Sequence, residues 1–232
     1  MKVTRRRANT AIVYHWQDLY RQRFNSFERI RKLKLWQVLC QEYLQKFVRH
    51  KDTVLDLGAG SCEFINSIKC REKIAIDGNR QLLKVAKKDV KVIVGDITRV
   101  KRLLGKKQVD AVFMSNVLEH LNNKAEVFKL LVDIYQVLSR RGRILILQPD
   151  IYLAGDSYWD FFDHKVALTT KSLVEALEAV GFKITYLHSP FLPYTTKIKY
   201  LPMHPLLLRI YLRLPLLHRL MGKQFFVCAK KF

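Results

Sequence analysis

The residues with the most specific chemistry lie in one short stretch, VLDLGAGSCEF, from Val54 to Phe64. Gly58 and Gly60 sit where an apolar strand gives way to a loop, and glycine lets the backbone approach a ligand with no Cβ in the way. A loop that cradles a pyrophosphate reads G-x-G-x-x-G and presents helix N-terminal amides to the anion. Here the third glycine position holds Glu63, and Asp56 precedes the first glycine by two residues. Carboxylates at these places repel a phosphate and suit a ligand that brings positive charge, such as the ammonium of an amino acid.

Two further acids end the next strands. Asp77 closes IAID, where a carboxylate can accept both hydroxyls of a ribose, and Asp96, followed by Ile97, closes VIVGDI, where one can accept from the exocyclic amine of adenine. A single acid at a strand end is commonly a cap or turn residue. Three on successive strands behind a glycine loop make a set. S-adenosylmethionine has an ammonium, a sulfonium, a ribose and an adenine, with no phosphate, and fits that set; a nicotinamide dinucleotide is opposed by Asp56 and Glu63.

Candidates for moving a proton stand after later strands: His120 in LEHL, Asp150 after a proline, and Asp163 with His164 in FFDHK. An imidazole titrates near neutrality and can serve as a base there. His120 could instead order the cofactor loop, and Asp163–His164, within the aromatic group Tyr158, Trp159, Phe161 and Phe162, could be lid packing. Asp150 reads as a turn residue. Cys40, Cys62, Cys70 and Cys228 form no CxxC pair and no zinc-like spacing with histidine, so no metal is expected and a reducing cytoplasm fits.

The positioning elements are legible from periodicity. TVLDL, KIAID, VKVIVGD, DAVFMS, RILILQ, FKITYLH and QFFVCAK read as strands. Helical candidates lie between them at Arg80–Lys88, Thr98–Leu104, Asn122–Leu138 and Lys171–Val180. Apolar strands alternating with helices predict an α/β, doubly wound, mostly parallel sheet. Residues 1–51 predict a basic helical extension, two helices broken near Asn25–Ser26, and residues 52–232 the main domain. Within it 190–222, with prolines at 190, 193, 202, 205 and 215, predict a helical insertion that caps the cleft or lies on a membrane surface.

The chain has 232 residues and a formal charge of +22, concentrated at its ends: residues 1–51 hold 13 Lys and Arg against 3 acids, and 190–232 hold 8 against none. Such flanks suit an anionic partner, whether lipid, nucleic acid or an acidic acceptor. The N-terminus has no apolar run of a signal peptide, and no stretch approaches 18 uninterrupted apolar residues.

VLDLGAGSCEF, IAIDGN, VIVGDI, DAVFMSNVLEHL and LSRRGRILILQPD, in this order and spacing, resemble the motifs of class I S-adenosylmethionine-dependent methyltransferases over roughly Thr53–Phe182. Cys62 departs from the family's usual third glycine. The resemblance implies a Rossmann-like sheet of seven strands whose last, QFFVCAK, inserts antiparallel. It also implies S-adenosyl-L-methionine as cofactor, with cofactor contacts at Asp56, Gly58, Gly60, Asp77, Asp96 and Asn116. Beyond the core, YWDFFDHKVALTTKSLVEALEAVGF and the basic tail look like bacterial members that modify small molecules or saccharides.

The expected function is methyl transfer to a small-molecule or saccharide acceptor, an anionic or lipid-linked one included, by a cytoplasmic protein that can sit peripherally at the membrane. The alternatives are an RNA methyltransferase using the basic flanks, and a cofactor-binding or membrane-surface protein without catalysis. SNVLEH replaces the Asn-Pro-Pro-Tyr signature of base-flipping amino methylation, which makes nucleic acid the weaker partner. The sequence leaves oligomeric state open.

Overall fold

A computed structural model of the chain describes residues 26–194 and 204–232. The first expected N-terminal helix and part of the proline-rich insertion lie outside those residues. Seven strands form one sheet: β1 (Thr53–Leu57), β2 (Glu72–Asp77), β3 (Val90–Val94), β4 (Val109–Ser115), β5 (Leu138–Pro149), β6 (Lys183–His188) and β7 (Gln224–Lys230), in the order β3-β2-β1-β4-β5-β7-β6. Parallel pairing joins β3 through β5, whereas β7 runs antiparallel to both β5 and β6. The expected fold and the antiparallel last strand are both observed.

The period-two alternation of the strands divides the core into two layers. Leu55, Leu57, Val112, Met114, Ile144, Ile146, Phe225 and Val227 face one side. There they meet α3 (Val100–Leu104), α4 (Lys124–Val137) and α6 (Thr170–Val180). Val54, Ala111, Phe113, Leu145, Leu147, Phe226 and Cys228 face the other, against α1 (Ser26–Glu42) and a 3-10 turn at Leu44–Phe47. Helix α4 starts on an Asn123 side chain that accepts from Glu126 N at 2.9 Å, and α6 starts on a Thr169–Ser172 capping box. Both carry apolar residues at three- and four-residue steps, and this places them on the sheet.

The helix expected over Arg80–Lys88 shrinks to α2 (Leu82–Val85). The buried Asn66 explains why: its Nδ2 donates to Val85 O at 2.8 Å, and its Oδ1 accepts from Lys87 N at 2.9 Å. A side chain has thus taken backbone bonds that a further helical turn would have used. A short α5 (Ile151–Ala154) and a 3-10 turn at Gly155–Asp160 were not legible in the sequence.

Between β6 and β7 lie α7 (Pro205–Arg213) and α8 (Pro215–Met221), each opening on a proline. The Tyr211 hydroxyl donates to Phe191 O, Arg209 Nε pairs with Glu42 of α1 at 3.1 Å, and Leu208 and Leu212 join the α1-side core. The insertion leaves β6 and returns to β7 at the carboxyl edge of the sheet, the edge that also holds the loops after β1, β2 and β4. No helix among the described residues is long and apolar enough to cross a membrane.

Candidate active site

Strand order reverses between β1 and β4, since β2 and β3 extend to one side of β1 and β4 to the other. Open α/β sheets bind their ligands outside the carboxyl ends at such a point. The glycine loop emerges there. Gly58 has φ +78° and donates its N–H to Ile76 O at 2.8 Å, so the chain turns across the end of β2. A Cβ on Gly58 would lie 2.5 Å from Val117 Cγ2. The left-handed backbone alone costs a residue with a Cβ about 1–2 kcal/mol, so Gly58→Ala is expected to lower the thermal midpoint by roughly 2–8 °C or more; an unchanged midpoint in calorimetry would refute this reading.

Gly60, at φ +51°, has no heavy atom within 4 Å of where its Cβ would stand, which leaves the loop open to a ligand. Its N–H donates to Asp77 Oδ2 at 2.8 Å, and Asn79 N–H donates to Asp77 Oδ1 at 2.7 Å. Each Asp77 oxygen therefore ties a loop in place and keeps lone-pair capacity for another donor. Burial pushes the Asp77 carboxyl above its ordinary range, against the lowering effect of those two bonds.

Asp56 sits beneath the loop, 3% exposed, and accepts a hydrogen bond from the Ile65 backbone. Burial, then Glu63, then Asp77 push its pKa up. Glu63 reaches Lys32 of α1 at 3.0 Å, a partner that no spacing in the sequence revealed. After the loop the chain makes a run of turns carrying i→i−4 bonds from Asn66 to Cys62 and from Ile68 to Phe64.

Because the folded pKa of Asp56 lies above its unfolded value, its contribution favours folding below the ordinary carboxylate pKa and is lost as pH rises through the folded one. Asp56→Asn keeps an acceptor for Ile65 and removes the buried charge. In the ligand-free protein it is expected to melt at least about 2 °C above the parent at pH 8, the response to about 1 kcal/mol in a chain of this size, with the gap closing toward pH 4. A variant that melts lower at pH 8 would show that the charge is needed for the loop.

Asp96 is exposed and caps the 3-10 turn Ile97–Arg99, accepting from Thr98 N at 2.9 Å and Thr98 Oγ1 at 2.7 Å. Gly95 N–H donates to Asp77 O at 3.0 Å, which keeps the Asp96–Ile97 pair beside the end of β2. Asn116 is exposed at φ +52°, with its N–H on Leu147 O at 3.0 Å. The next residue, Val117, is the one packed under Gly58.

Residues 55–146 match the family model of a methyltransferase domain. The seven-stranded sheet that holds them has the Rossmann-like fold of such domains. The methyltransferase fold aligns with an S-adenosylmethionine-dependent methyltransferase from Archaeoglobus fulgidus at a TM-score of 0.63 and 22% identity, covering 86% of this chain and 94% of that one. It aligns with an S-adenosylmethionine-dependent enzyme from Thermotoga maritima, described as a possible histamine N-methyltransferase, at 0.61 and 15%, covering 90% and 95%. The [4+2]-cyclase SpnF also matches, at 0.57 and 15%, covering 88% and 80%. Such likeness carries the fold and not the reaction. No curated protein sequence matches the chain significantly.

The proton-transfer candidates form a second group. His120 Nδ1 lies 3.4 Å from Asp163 Oδ2 and 3.2 Å from Asp163 O, and His164 Nδ1 lies 3.2 Å from the Tyr194 hydroxyl. The two imidazole rings are 5.1 Å apart. Glu119, 1% exposed, accepts from Gln148 Nε2 at 2.9 Å, and its backbone carbonyl accepts from Lys165 and Val166, pinning the 163–166 loop. The two histidines and Asp163 are legible in the sequence, whereas Glu119 and Gln148 are not, because their contact depends on how β4 and β5 lie side by side. Asp150 caps α5 through Tyr152 N and accepts from Thr170 N and Oγ1, the turn role expected of it.

Proposed function

We propose that this chain transfers a methyl group from S-adenosylmethionine to a small-molecule or saccharide acceptor. The observation that carries the reading is the Gly58–Gly60 loop, tied to Asp77 and underlain by Asp56. Burial raises the cost of ionising both carboxylates, and Glu63 and Asp77 add to it at Asp56, so a cationic ligand offsets what burial makes costly. The residues present fit the cofactor: Gly60 gives the amino-acid end room, Asp77 takes the ribose hydroxyls, and Asp96, Ile97 and Asn116 border the adenine. When bound, S-adenosylmethionine supplies an electrophilic methyl group, open to in-line displacement. The protein's share is to hold the acceptor in line and keep water out. The loop cluster of His120, Asp163 and His164 is the part of the chain that deals with the acceptor's proton.

The rim favours a ring-bearing acceptor delivered at a lipid surface. Tyr152 is 85% exposed and Phe162 83%, and Trp159 also presents its ring to solvent. On α7 and α8, Leu206, Ile210, Leu214, Leu216 and Leu220 are exposed, in a segment from 190 to 232 that holds no acid. Exposed leucines on basic helices lie readily on an anionic bilayer.

Transfer of labelled methyl from S-adenosylmethionine to acidic saccharides, lipid-linked oligosaccharides and RNA, offered side by side, tests the proposal. Label in a saccharide fraction supports it. Label confined to RNA, with binding that falls steeply with salt, replaces it with the nucleic-acid reading. Binding to anionic vesicles with no label in any acceptor favours the membrane-surface protein without catalysis.

A further inference from the structure

One cluster offers more than acid–base chemistry. Glu119, His120 and His164 each present a ligand atom, and these atoms lie within 4.8 Å of one another. Two imidazoles and a carboxylate are a donor set common to zinc and to other first-row divalent ions. The surroundings resemble those of a metal site. The Nδ1 of His120 faces Asp163, and the Nδ1 of His164 faces the Tyr194 hydroxyl. A ligating histidine characteristically engages its other ring nitrogen with a carboxylate or another oxygen, which fixes ring orientation.

Two further observations point the same way. Glu119 is a fully buried carboxylate, and the charged groups that act on it include His120 and Asp163. Beside it, Gln148 Oε1 is buried and has no hydrogen-bond partner among the described residues, while the same amide's Nε2 holds Glu119 Oε2. A buried acceptor left without a donor is costly, and water bound to a cation is a donor of the kind it lacks.

We propose that Glu119, His120 and His164 hold a divalent first-row transition ion, with Asp163, Tyr194 and Gln148 positioning the ligands. Zinc bonds of about 2.0–2.1 Å require tetrahedral donors about 3.3 Å apart. Binding therefore draws the widest pair together by up to about 1.5 Å, within reach of side-chain rotation. Three protein ligands leave a position open to water or an acceptor hydroxyl, whose proton the ion makes easier to lose. In this arrangement His120 and His164 act as ligands and not as the proton acceptor. The ion site goes beyond the proposed acceptor class and stands or falls separately from it.

The test uses the untagged full chain, stripped with a chelator and titrated calorimetrically with Zn²⁺ and then Mn²⁺. One equivalent is expected to bind with a midpoint in the micromolar range or tighter. His164→Gln and Glu119→Gln should each weaken binding by about 10-fold or more, Asp163→Asn by about 10- to 100-fold, and the distant His50→Gln should change nothing. S-adenosylhomocysteine binding is measured on every variant, so a variant that keeps it is folded and its metal result is decisive. No saturable binding of either ion at 100-fold excess over protein, or binding that is equal in His164→Gln and Glu119→Gln to that of the parent, overturns the proposal.

Discussion

Asp77→Ala is expected to weaken S-adenosylhomocysteine binding by about 10- to 150-fold, with the sheet intact by circular dichroism. One hydrogen bond to a charged acceptor is worth about 1.5–3 kcal/mol, and that energy converts to this range of affinity. Asp77 already fixes Gly60 and Asn79 through its two oxygens, so the alanine variant loses both the proposed ribose acceptor and the tether of the loop. Asp77→Asn keeps one acceptor and should fall between parent and alanine. Since burial raises the Asp77 pKa, the ionised acceptor is lost as pH falls through that raised value. Affinity should therefore begin to drop at a higher pH than an ordinary carboxylate near 4 would give. Equal affinity in Asp77→Ala and parent would remove Asp77 from the site.

Arg143→Met is expected to lower the thermal midpoint more than any surface change. Arg143 and Asp52 are 5% and 3% exposed and pair directly, while Arg143 Nε also donates to Phe47 O. Asp52 Oδ2 accepts from Arg49 N at 2.7 Å, and the Asp52 carbonyl accepts from Arg71 and Glu72. The pair thus clamps β5, the 3-10 turn before β1 and the entry to β2. Removing one member of a buried pair leaves an uncompensated charge and costs about 3–5 kcal/mol, or roughly 6–20 °C in a chain of this size. Asp52→Leu in the same chain should recover much of the loss, because apolar replacement of a whole buried pair is commonly neutral. A midpoint within about 1 °C of the parent in the single variant would contradict this account.

What the sequence disclosed and what it hid depend on the range of the forces involved. The apolar alternation of TVLDL and QFFVCAK sets which side chains face which layer, and both strands stand at the residues read for them. The glycine loop and Asp77 were legible because their chemistry is local to one strand end. The shortened α2 was not, since it depends on Asn66, which meets Val85 and Lys87 only in the folded chain. Glu63 is a bare charge in the sequence until α1 brings Lys32 to it. Glu119 is hidden for the same reason: its partner Gln148 stands near the end of another strand, 29 positions away. Asp96, read as an adenine contact, also meets the bland alternative of a cap, and its second lone pairs leave both roles compatible.

The most direct test of the central claim is calorimetric titration of the full chain with S-adenosylmethionine, S-adenosylhomocysteine and NAD under one set of conditions. A loop that carries Glu63 and is underlain by Asp56, in place of a phosphate cradle, predicts saturable binding of the first two and none of the third. Binding of NAD, or silence toward both S-adenosyl ligands, would contradict it.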